Sequence, residues 1–456
     1  MKNPTLSKQS LHIWLLFGVI FGGFAWRMAW IGLKIFNGNL REDSASEAMN
    51  SALNFARTGN IANALGSTEG ITAHLSPVMP FISGSIIYLT NFDKPLYTIL
   101  LAIFAVTSAI LCSLLVYHIF SVLEAPFQVR IAALALFCLL PIQPMLETVQ
   151  FQYWEGALAG TLLAGFTLII VRFDLEHKTG TRHLWILAVM AAITTFVSPA
   201  AGLAAYVACV IFAFRRIALS RWPVAILISA LALCAVLMPW TIRNYRAFDQ
   251  VIPLRANAGL EFALGNHPDA VNPSNPKATF LNRLRLIHPI ASKAAFAQMK
   301  AMGGEKNYSD YLGKQAASWA QANPSDFILL CARHLRQFYF PPKWHWTIWG
   351  TPGSGTLIKQ AFTWTVSALG LLGALLSIFY WRGRWLYVAN MALIPALPYM
   401  IVQPVLRYRW IILLPLIFLS MMVLWQLWIW ARARWHRKDQ TMLENPKQTP
   451  FSAPSL

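Results

Sequence analysis

Apolar runs long enough to cross a bilayer recur along the chain, and they constrain its fold more than any other feature. Hydrophobic residues make up 57% of the sequence and charged residues only 12%, which excludes an ordinary soluble protein. Backbone polar groups in lipid must find partners within the protein, so apolar spans of this kind form helices. The sequence therefore predicts an all-α polytopic membrane protein with about ten transmembrane helices.

Basic turns and proline breaks separate the predicted spans. The spans cover residues 11–36, 95–118, 129–145, 154–172, two short segments within 184–214, then 222–241, 359–381, 386–402 and 410–430. Lys and Arg mark most of the turns assigned to the cytoplasm, as the positive-inside rule requires, and both chain ends are placed inside. Because the net charge of +19 is spread among these turns, no nucleic-acid partner is expected. The first run is too long for a signal-peptide core and is interpreted as a retained anchor.

This topology divides the chain into four parts. They are an N-terminal transmembrane module at 1–241 with a long first outer loop at 37–94, a small extracytoplasmic α(+β) domain at 242–358, C-terminal transmembrane helices at 359–431, and a cytoplasmic tail at 432–456. Within the outer domain, helices are predicted at 309–322 and from 324 to about 339, after a short strand pair near the domain's start.

The first outer loop begins with two adjacent carboxylates, Glu42 and Asp43. An amphipathic helix is predicted to follow and to lie flat on the bilayer. Its apolar face consists of Ala45, Ala48, Met49, Ala52, Leu53 and Ala56. The apolar segment 76–89 is short, which favours an interfacial or re-entrant segment over a span. The loop is therefore predicted to hold carboxylates at the lipid–water boundary, where a lipid-linked substrate presents its head group.

Asp43 is the first candidate for catalysis. A carboxylate at a membrane surface is suited to take a proton from an acceptor hydroxyl or amine. The alternative is structural, because Ser44-x-x-Glu47 matches a capping box with Ser44 as the N-cap. Asp43 would then be an exposed acid near a helix N-terminus, where the helix dipole favours it.

Two further residues on the predicted outer side are candidates. His74 shares the first outer loop with Asp43 and could bind a divalent metal with it, although no ligand spacing requires a metal and a lone His is more often structural. No cofactor is certain from the sequence. Glu147, in the loop after the third span, is a candidate second acid, and Glu155 flanks the same loop. The alternative is that both are simple interface residues.

Arginines on the predicted outer side run against the positive-inside trend. Arg243 follows the seventh span, and Arg407, Tyr408 and Arg409 form the last outer loop. A guanidinium binds phosphate through paired hydrogen bonds, so these residues are candidates for the phosphate of a lipid substrate. Contact with acidic lipid head groups is the alternative. The predicted substrate-binding set is Glu42, His74, Arg243, Arg407, Tyr408 and Arg409.

Three stretches together resemble the GT-C superfamily of membrane glycosyltransferases, which includes protein O-mannosyltransferases and lipid A aminoarabinose transferases. They are Asp43 with the later T-A-H-L-S-P-V-M-P, then P-W-T-I-R-N-Y with P-L-R-A-N-A-G-L-E-F-A-L-G-N, and L-R-Y-R-W-I-I-L-L-P. The resemblance implies that Asp43 is the catalytic base. It also implies that Arg407 and the region of Arg243 hold the donor's phosphate.

The resulting hypothesis is an inverting glycosyltransferase in a bacterial inner membrane. It would move a sugar from a polyprenyl-phosphate donor to a lipid, glycan or protein acceptor on the extracytoplasmic side, in contact with membrane lipids. Three alternatives remain open: an O-antigen ligase or polymerase, a polyprenyl-lipid transporter or flippase, and a non-catalytic assembly protein. A transporter predicts charged residues deep in several spans, for which Arg27 is the main candidate.

Overall fold

The structure is a computed structural model that describes residues 8–38, 46–349 and 355–444. Regular secondary structure in these ranges is helical, and pairing between extended segments is limited to one antiparallel bridge between Ala62 and Ile71. The all-α prediction is confirmed. The strand pair predicted near residue 250 does not form, because the preceding helix continues to Phe248 and an irregular segment leads into further helices.

Twenty α-helices follow one another along the described chain. The first ten are α1 (Lys8–Phe36), α2 (Glu47–Thr58), α3 (Val78–Leu89), α4 (Lys94–Val122), α5 (Phe127–Leu139), α6 (Pro144–Thr148), α7 (Gly156–Leu175), α8 (Thr181–Val197), α9 (Pro199–Arg216) and α10 (Trp222–Phe248). The others are α11 (Ala258–Gly265), α12 (Pro268–Val271), α13 (Pro276–Ile287), α14 (Lys293–Ala301), α15 (Glu305–Ala322), α16 (Pro324–Tyr339), α17 (Lys343–Trp349), α18 (Thr356–Leu376), α19 (Trp385–Leu393) and α20 (Trp410–Glu444).

Seven helical segments in the described ranges are long and apolar enough to cross a membrane. They are Ser10–Phe36, Lys94–Val122, Gly156–Leu175, Pro199–Arg216, Leu219–Phe248, Thr356–Trp381 and Leu406–Arg434. An eighth is the pair Phe127–Leu139 and Pro144–Gln152, which is bent by 79° where the sequence has two prolines. By length and composition the described ranges therefore hold seven or eight candidate spans, whereas about ten were predicted. Helix α8 has only 17 residues, and α19 has nine residues before the prolines at 395 and 398.

Close helix packing builds the membrane bundle. Helix α18 lies directly against α20, where Cβ atoms added at Gly370 and Gly373 would meet Leu416 at 2.7 Å and Leu419 at 2.8 Å. Small residues permit such an approach, and van der Waals contact replaces the hydrophobic effect as the attraction between helices in lipid. Close packing at these two glycines consequently determines how α18 and α20 lie against each other.

Two buried ion-pair groups join helices inside the bundle. Arg27 of α1 is 1% exposed and forms a 2.7 Å ion pair with Glu147 of α6. Asp174 of α7 accepts hydrogen bonds from Arg215 and Arg216 of α9 at 2.7 Å. Pairing offsets the cost of burying each charge and ties neighbouring helices together.

We call residues 249–355 the polar domain and residues 37–93 the first loop. The two are packed against each other, since Ala64 and Leu65 of the first loop belong to the apolar core formed by α11, α13, α14 and α15. The predicted helix at 324–339 is confirmed as α16, and the one at 309–322 begins earlier, at Glu305. The apolar face of α2, predicted to lie on the bilayer, is buried against α3, where Ala52 O would lie 2.6 Å from a Cβ at Gly84.

Candidate functional site

Glu47, His74 and His288 form the centre of the candidate site. One potential ligand atom from each residue lies within 4.8 Å of the other two. Oε1 of Glu47 lies 3.5 Å from Nε2 of His288, and the rings of His74 and His288 are 6.1 Å apart at an angle of 77°. The first loop contributes two of these groups and the polar domain contributes the third.

Local structure positions each of the three. Ser46 caps α2 by accepting the Met49 N–H at 3.1 Å, which places Glu47 at the first helical position. His288 directly follows α13, and its N–H donates to Leu284 O at 2.9 Å. The predicted cap at Ser44 with Glu47 reaching back is therefore wrong: Ser46 is the cap, and the Glu47 carboxylate faces His288.

The segment before His74 is held by the polar domain. Glu305, at the first position of α15, accepts the Thr72 hydroxyl at 2.7 Å and the Ala73 N–H at 2.5 Å. The Thr72 hydroxyl oxygen in turn accepts the His74 N–H at 3.1 Å. His74 is thus fixed by backbone and side-chain bonds on both sides of the interface.

Burial, with His288 and Arg255 nearby, lowers the pKa of His74 to about 3. The imidazole is therefore neutral at physiological pH, which is the form that ligates metals. Two imidazole nitrogens and one carboxylate oxygen make a donor set that suits a divalent transition-metal ion such as Zn²⁺. The residues present therefore fit a cation.

Glu261 of α11 borders this cluster. Burial raises the pKa of Glu261; Glu47 adds to the rise, and His288 opposes it. The site thus contains a buried carboxyl group whose pKa is raised, a feature that is typical of sites for acid–base chemistry.

Glu261 also interacts electrostatically with Arg407, which belongs to a basic and aromatic group. The Arg407 guanidinium stacks 3.8 Å from the centre of the Trp154 ring and 5.1 Å from that of Tyr408, which stacks on Tyr399 at 4.6 Å. Arg407 and Tyr408 line a small cavity of about 20 Å³ together with Glu155. Stacking leaves the polar edge of a guanidinium available to an anion.

The other predicted residues are placed differently. Arg243 donates to Thr72 O at 2.8 Å and to Ile61 O at 2.7 Å, so it anchors the first loop. Arg409 is buried and bonds Ser367 Oγ at 3.0 Å and Phe338 O at 3.3 Å. These contacts favour structural roles for both arginines over the phosphate-binding role predicted for them.

Glu147 is also committed to structural contacts. Beyond its ion pair with Arg27, its Oε1 accepts the Trp410 Nε1–H at 3.4 Å. This arrangement favours a structural role over the predicted second acid. Glu42 and Asp43 lie outside the described residues, so the pairing of Asp43 with His74 as metal ligands stays a prediction.

Sequence reasoning missed His288, Glu261 and Arg255, and it interpreted Glu47 only as a cap. Arg255 forms a 2.5 Å ion pair with Glu155 and so ties the polar domain to the loop before α7. These residues come from segments far apart in the chain, and no local spacing signals them. The one available signal was the presence of ionisable groups in a predicted outer domain.

No protein-family model matches this sequence, and no curated protein matches it. Among solved structures, the fold is similar to that of the archaeal oligosaccharyltransferase AglB from Archaeoglobus fulgidus, determined in complex with an inhibitory peptide and a dolichol-phosphate. The TM-score is 0.50 at 12% sequence identity. The similarity covers 99% of this chain and 53% of that one, so this chain spans about half the length of its structural neighbour. At this identity the similarity shows the fold alone.

Proposed function

We propose that this protein is an inverting GT-C glycosyltransferase that moves a sugar from a polyprenyl-phosphate donor to a lipid, glycan or protein acceptor. The observation that carries the proposal is the cluster of Glu47, His74 and His288, together with Glu261, which interacts electrostatically with Glu47, with His288 and with Arg407. The shared fold supports it, because the structural neighbour is an oligosaccharyltransferase with a dolichol-phosphate bound. Placement in a bacterial inner membrane, with the site on the extracytoplasmic side, belongs to the same proposal.

In the proposed reaction, the acceptor hydroxyl or amine attacks the anomeric carbon and loses its proton to Asp43, which precedes α2 in the sequence. The bond between the anomeric carbon and the phosphate oxygen breaks, and the lipid phosphate leaves with the electron pair. The guanidinium of Arg407 binds the departing phosphate. Fixed charges at this position stabilise negative charge as it develops.

Glu47, His74 and His288 would hold a divalent cation at this site. A bound cation would supply Lewis-acid stabilisation of the phosphate. Glu305 and Arg243 would keep His74 in register by holding the segment that precedes it.

The transporter alternative is less well supported by the contacts. Its main candidate, Arg27, is neutralised by Glu147 and bonds the carbonyl oxygens of Cys138 at 2.8 Å and Phe137 at 3.2 Å. A guanidinium with this many fixed partners is a structural charge, because a transport residue needs partners that can change.

Mass spectrometry of envelope glycolipids and glycoproteins tests the proposal. A strain that lacks the gene is complemented with wild type, Asp43→Asn, Glu47→Gln or His74→Gln at equal membrane levels. Glu124→Gln, a change at an exposed carboxylate, is the matched control. We expect wild type and the control to restore a sugar modification that the three site variants do not restore. Full restoration by all three site variants would show that the site is not catalytic.

A further inference from the structure

A cavity of about 920 Å³ lies in the polar domain, between α12, α13, α16 and α17. Small-molecule sites typically enclose about 300–1,000 Å³. Over the described parts of the chain, its lining includes neither the cation cluster nor Arg407. Helix α11 connects the two regions, because Leu264 lines the cavity and Glu261, three positions earlier on the same side of that helix, borders the cluster.

The cavity carries positive charge. Arg333 and Arg336, one helical turn apart on α16, both line it, and no described lining residue is a carboxylate. Arg333 is fixed by its bond to Ala270 O at 2.7 Å, while Arg336 is exposed. Burial and the neighbouring Arg336 lower the pKa of Arg333. Oδ2 of Asp269 lies 3.9 Å from Nδ1 of the lining residue His267, but the Asp269 side chain is 88% exposed and does not line the cavity.

Neutral polar groups complete the wall. Burial, opposed by a bond to Met400 O, lowers the pKa of His334 to about 4, so this ring is uncharged at physiological pH. Gln403 Nε2 donates to Gln337 Oε1 at 3.3 Å, and both side chains line the cavity. Such groups hydrogen-bond hydroxyls without adding charge.

One wall of the cavity belongs to a membrane span. Trp364, in the candidate span Thr356–Trp381, lines the cavity, and its Nε1–H donates to Pro341 O at 3.0 Å. Trp344 and Phe340 extend the aromatic surface. A ligand that enters here therefore meets aromatic side chains, one of them from a candidate span, and two arginines of α16.

We propose that this cavity binds the phosphate-bearing head group of a membrane lipid at Arg333 and Arg336, and that this lipid is the acceptor. The first part stands on the cavity alone. The second part rests on the proposed transferase function, in which Arg407 receives the phosphate of the donor. Two arginines in reach of one cavity match phosphate because each guanidinium can donate paired hydrogen bonds.

Isothermal titration of the purified full-length protein in uncharged maltoside micelles tests the first part. The probes are short-chain phosphatidic acid, inorganic phosphate and the corresponding uncharged diacylglycerol. We expect phosphatidic acid to bind at least about tenfold more tightly than inorganic phosphate, because only the lipid contacts the aromatic wall. The diacylglycerol should show no saturable binding.

Arg336→Gln should weaken binding of phosphatidic acid by about tenfold or more, because it removes charge-assisted hydrogen bonds. The affinity of Arg336→Lys for phosphatidic acid should lie between those of wild type and Arg336→Gln, since lysine keeps the charge and loses the planar guanidinium. Arg285→Gln, an exposed change on α13 outside the cavity, should bind like wild type. Arg407→Gln, a change at the proposed site for the donor's phosphate, should keep the binding that Arg336 controls.

Unchanged affinity in Arg336→Gln would overturn the site. Loss of binding in Arg407→Gln instead would place the phosphate at the other site. Equal affinity for inorganic phosphate and phosphatidic acid would overturn the lipid assignment.

In a transfer assay, Arg336→Gln should raise the KM for the acceptor and leave the KM for the donor unchanged. The opposite pattern would overturn the acceptor role. The binding measurement tests the cavity as a lipid site independently of this result, and the presence of transfer activity in wild type tests the proposed function.

Discussion

Nε2 of His288 lies 3.5 Å from Oε1 of Glu47, and this contact joins the polar domain to the first helix of the first loop. His74 completes the group from further along that loop. Because three separate segments converge, the cluster depends on the docking of the first loop onto the polar domain. A bound cation would therefore stabilise this docking as well as serve the site.

The cluster predicts metal binding that His288 controls. Chelator-treated protein titrated with Zn²⁺ by calorimetry should show one saturable site, and His288→Gln should weaken it by about tenfold or more because one of three described ligands is removed. His177→Gln, a change at an exposed histidine, is the control and should bind like wild type. Equal affinity in the two variants would rule out His288 as a ligand.

The ion pair between Glu147 and Arg27 predicts a large structural cost for breaking it. Glu147→Ala leaves a buried guanidinium unpaired, and we expect the free energy of unfolding to fall by about 3–5 kcal/mol. Thermal denaturation in micelles measures the loss. Replacing both residues, with Arg27→Met and Glu147→Leu, should recover most of it because no buried charge remains.

The same double variant separates structure from catalysis. If Glu147 acts only through Arg27, the double variant should fold and retain transfer activity. A folded double variant with no activity would restore Glu147 as a catalytic acid.

The fold was predictable where a pattern is local. Helix α16 was expected at 324–339 because a proline opens it and a pair of prolines follows it, and both boundaries are those observed. The span count was less predictable, since apolar composition does not distinguish a straight span from a helix interrupted by prolines, as in α19 and the 3₁₀ turns that follow it.

The candidate site was predictable only in part. His74 was a candidate because it shares the first outer loop with Asp43, and Arg407 was one because outer arginines run against the positive-inside trend. The structure places both in the candidate site, and their roles stay predictions. The predicted phosphate-binding role of Arg243 was not supported, because an arginine that bonds two carbonyl oxygens and one that binds phosphate look alike in a sequence. His288 could not be identified, since its partners Glu47 and His74 lie in a distant part of the sequence.

The contact between Glu69 and Glu305 predicts a pH dependence of stability. Glu69 Oε2 accepts the Leu65 N–H at 2.7 Å, and burial with Glu305 nearby raises the pKa of Glu69 from 4.5 to about 9. A carboxyl group whose pKa is higher in the folded state stabilises the fold fully below its unfolded pKa, and this contribution is lost as the pH rises through about 9. The thermal midpoint of wild type should therefore decrease as the pH is raised from about 5 to about 9.5.

Glu69→Gln keeps a neutral side chain of the same shape, so its midpoint should fall less over this range and exceed that of wild type at the alkaline end. Glu124→Gln, at an exposed carboxylate, should follow wild type. Parallel curves for wild type and Glu69→Gln would show that Glu69 does not titrate in the fold over this range.

The stacking of Arg407 on Trp154 predicts a specific loss of transfer activity. Because the guanidinium is held at 3.8 Å by the indole ring, its position is fixed before substrate binds, and a fixed charge stabilises a leaving phosphate without reorganisation. Arg407→Gln should lower kcat/KM for a polyprenyl-phosphate sugar by roughly 10²–10³-fold. Arg407→Lys should recover part of this, since it restores charge but not the stacked plane. The control is Arg246→Gln, at an exposed position at the end of α10, which should match wild type. A wild-type rate in Arg407→Gln would mean that the leaving phosphate is stabilised elsewhere.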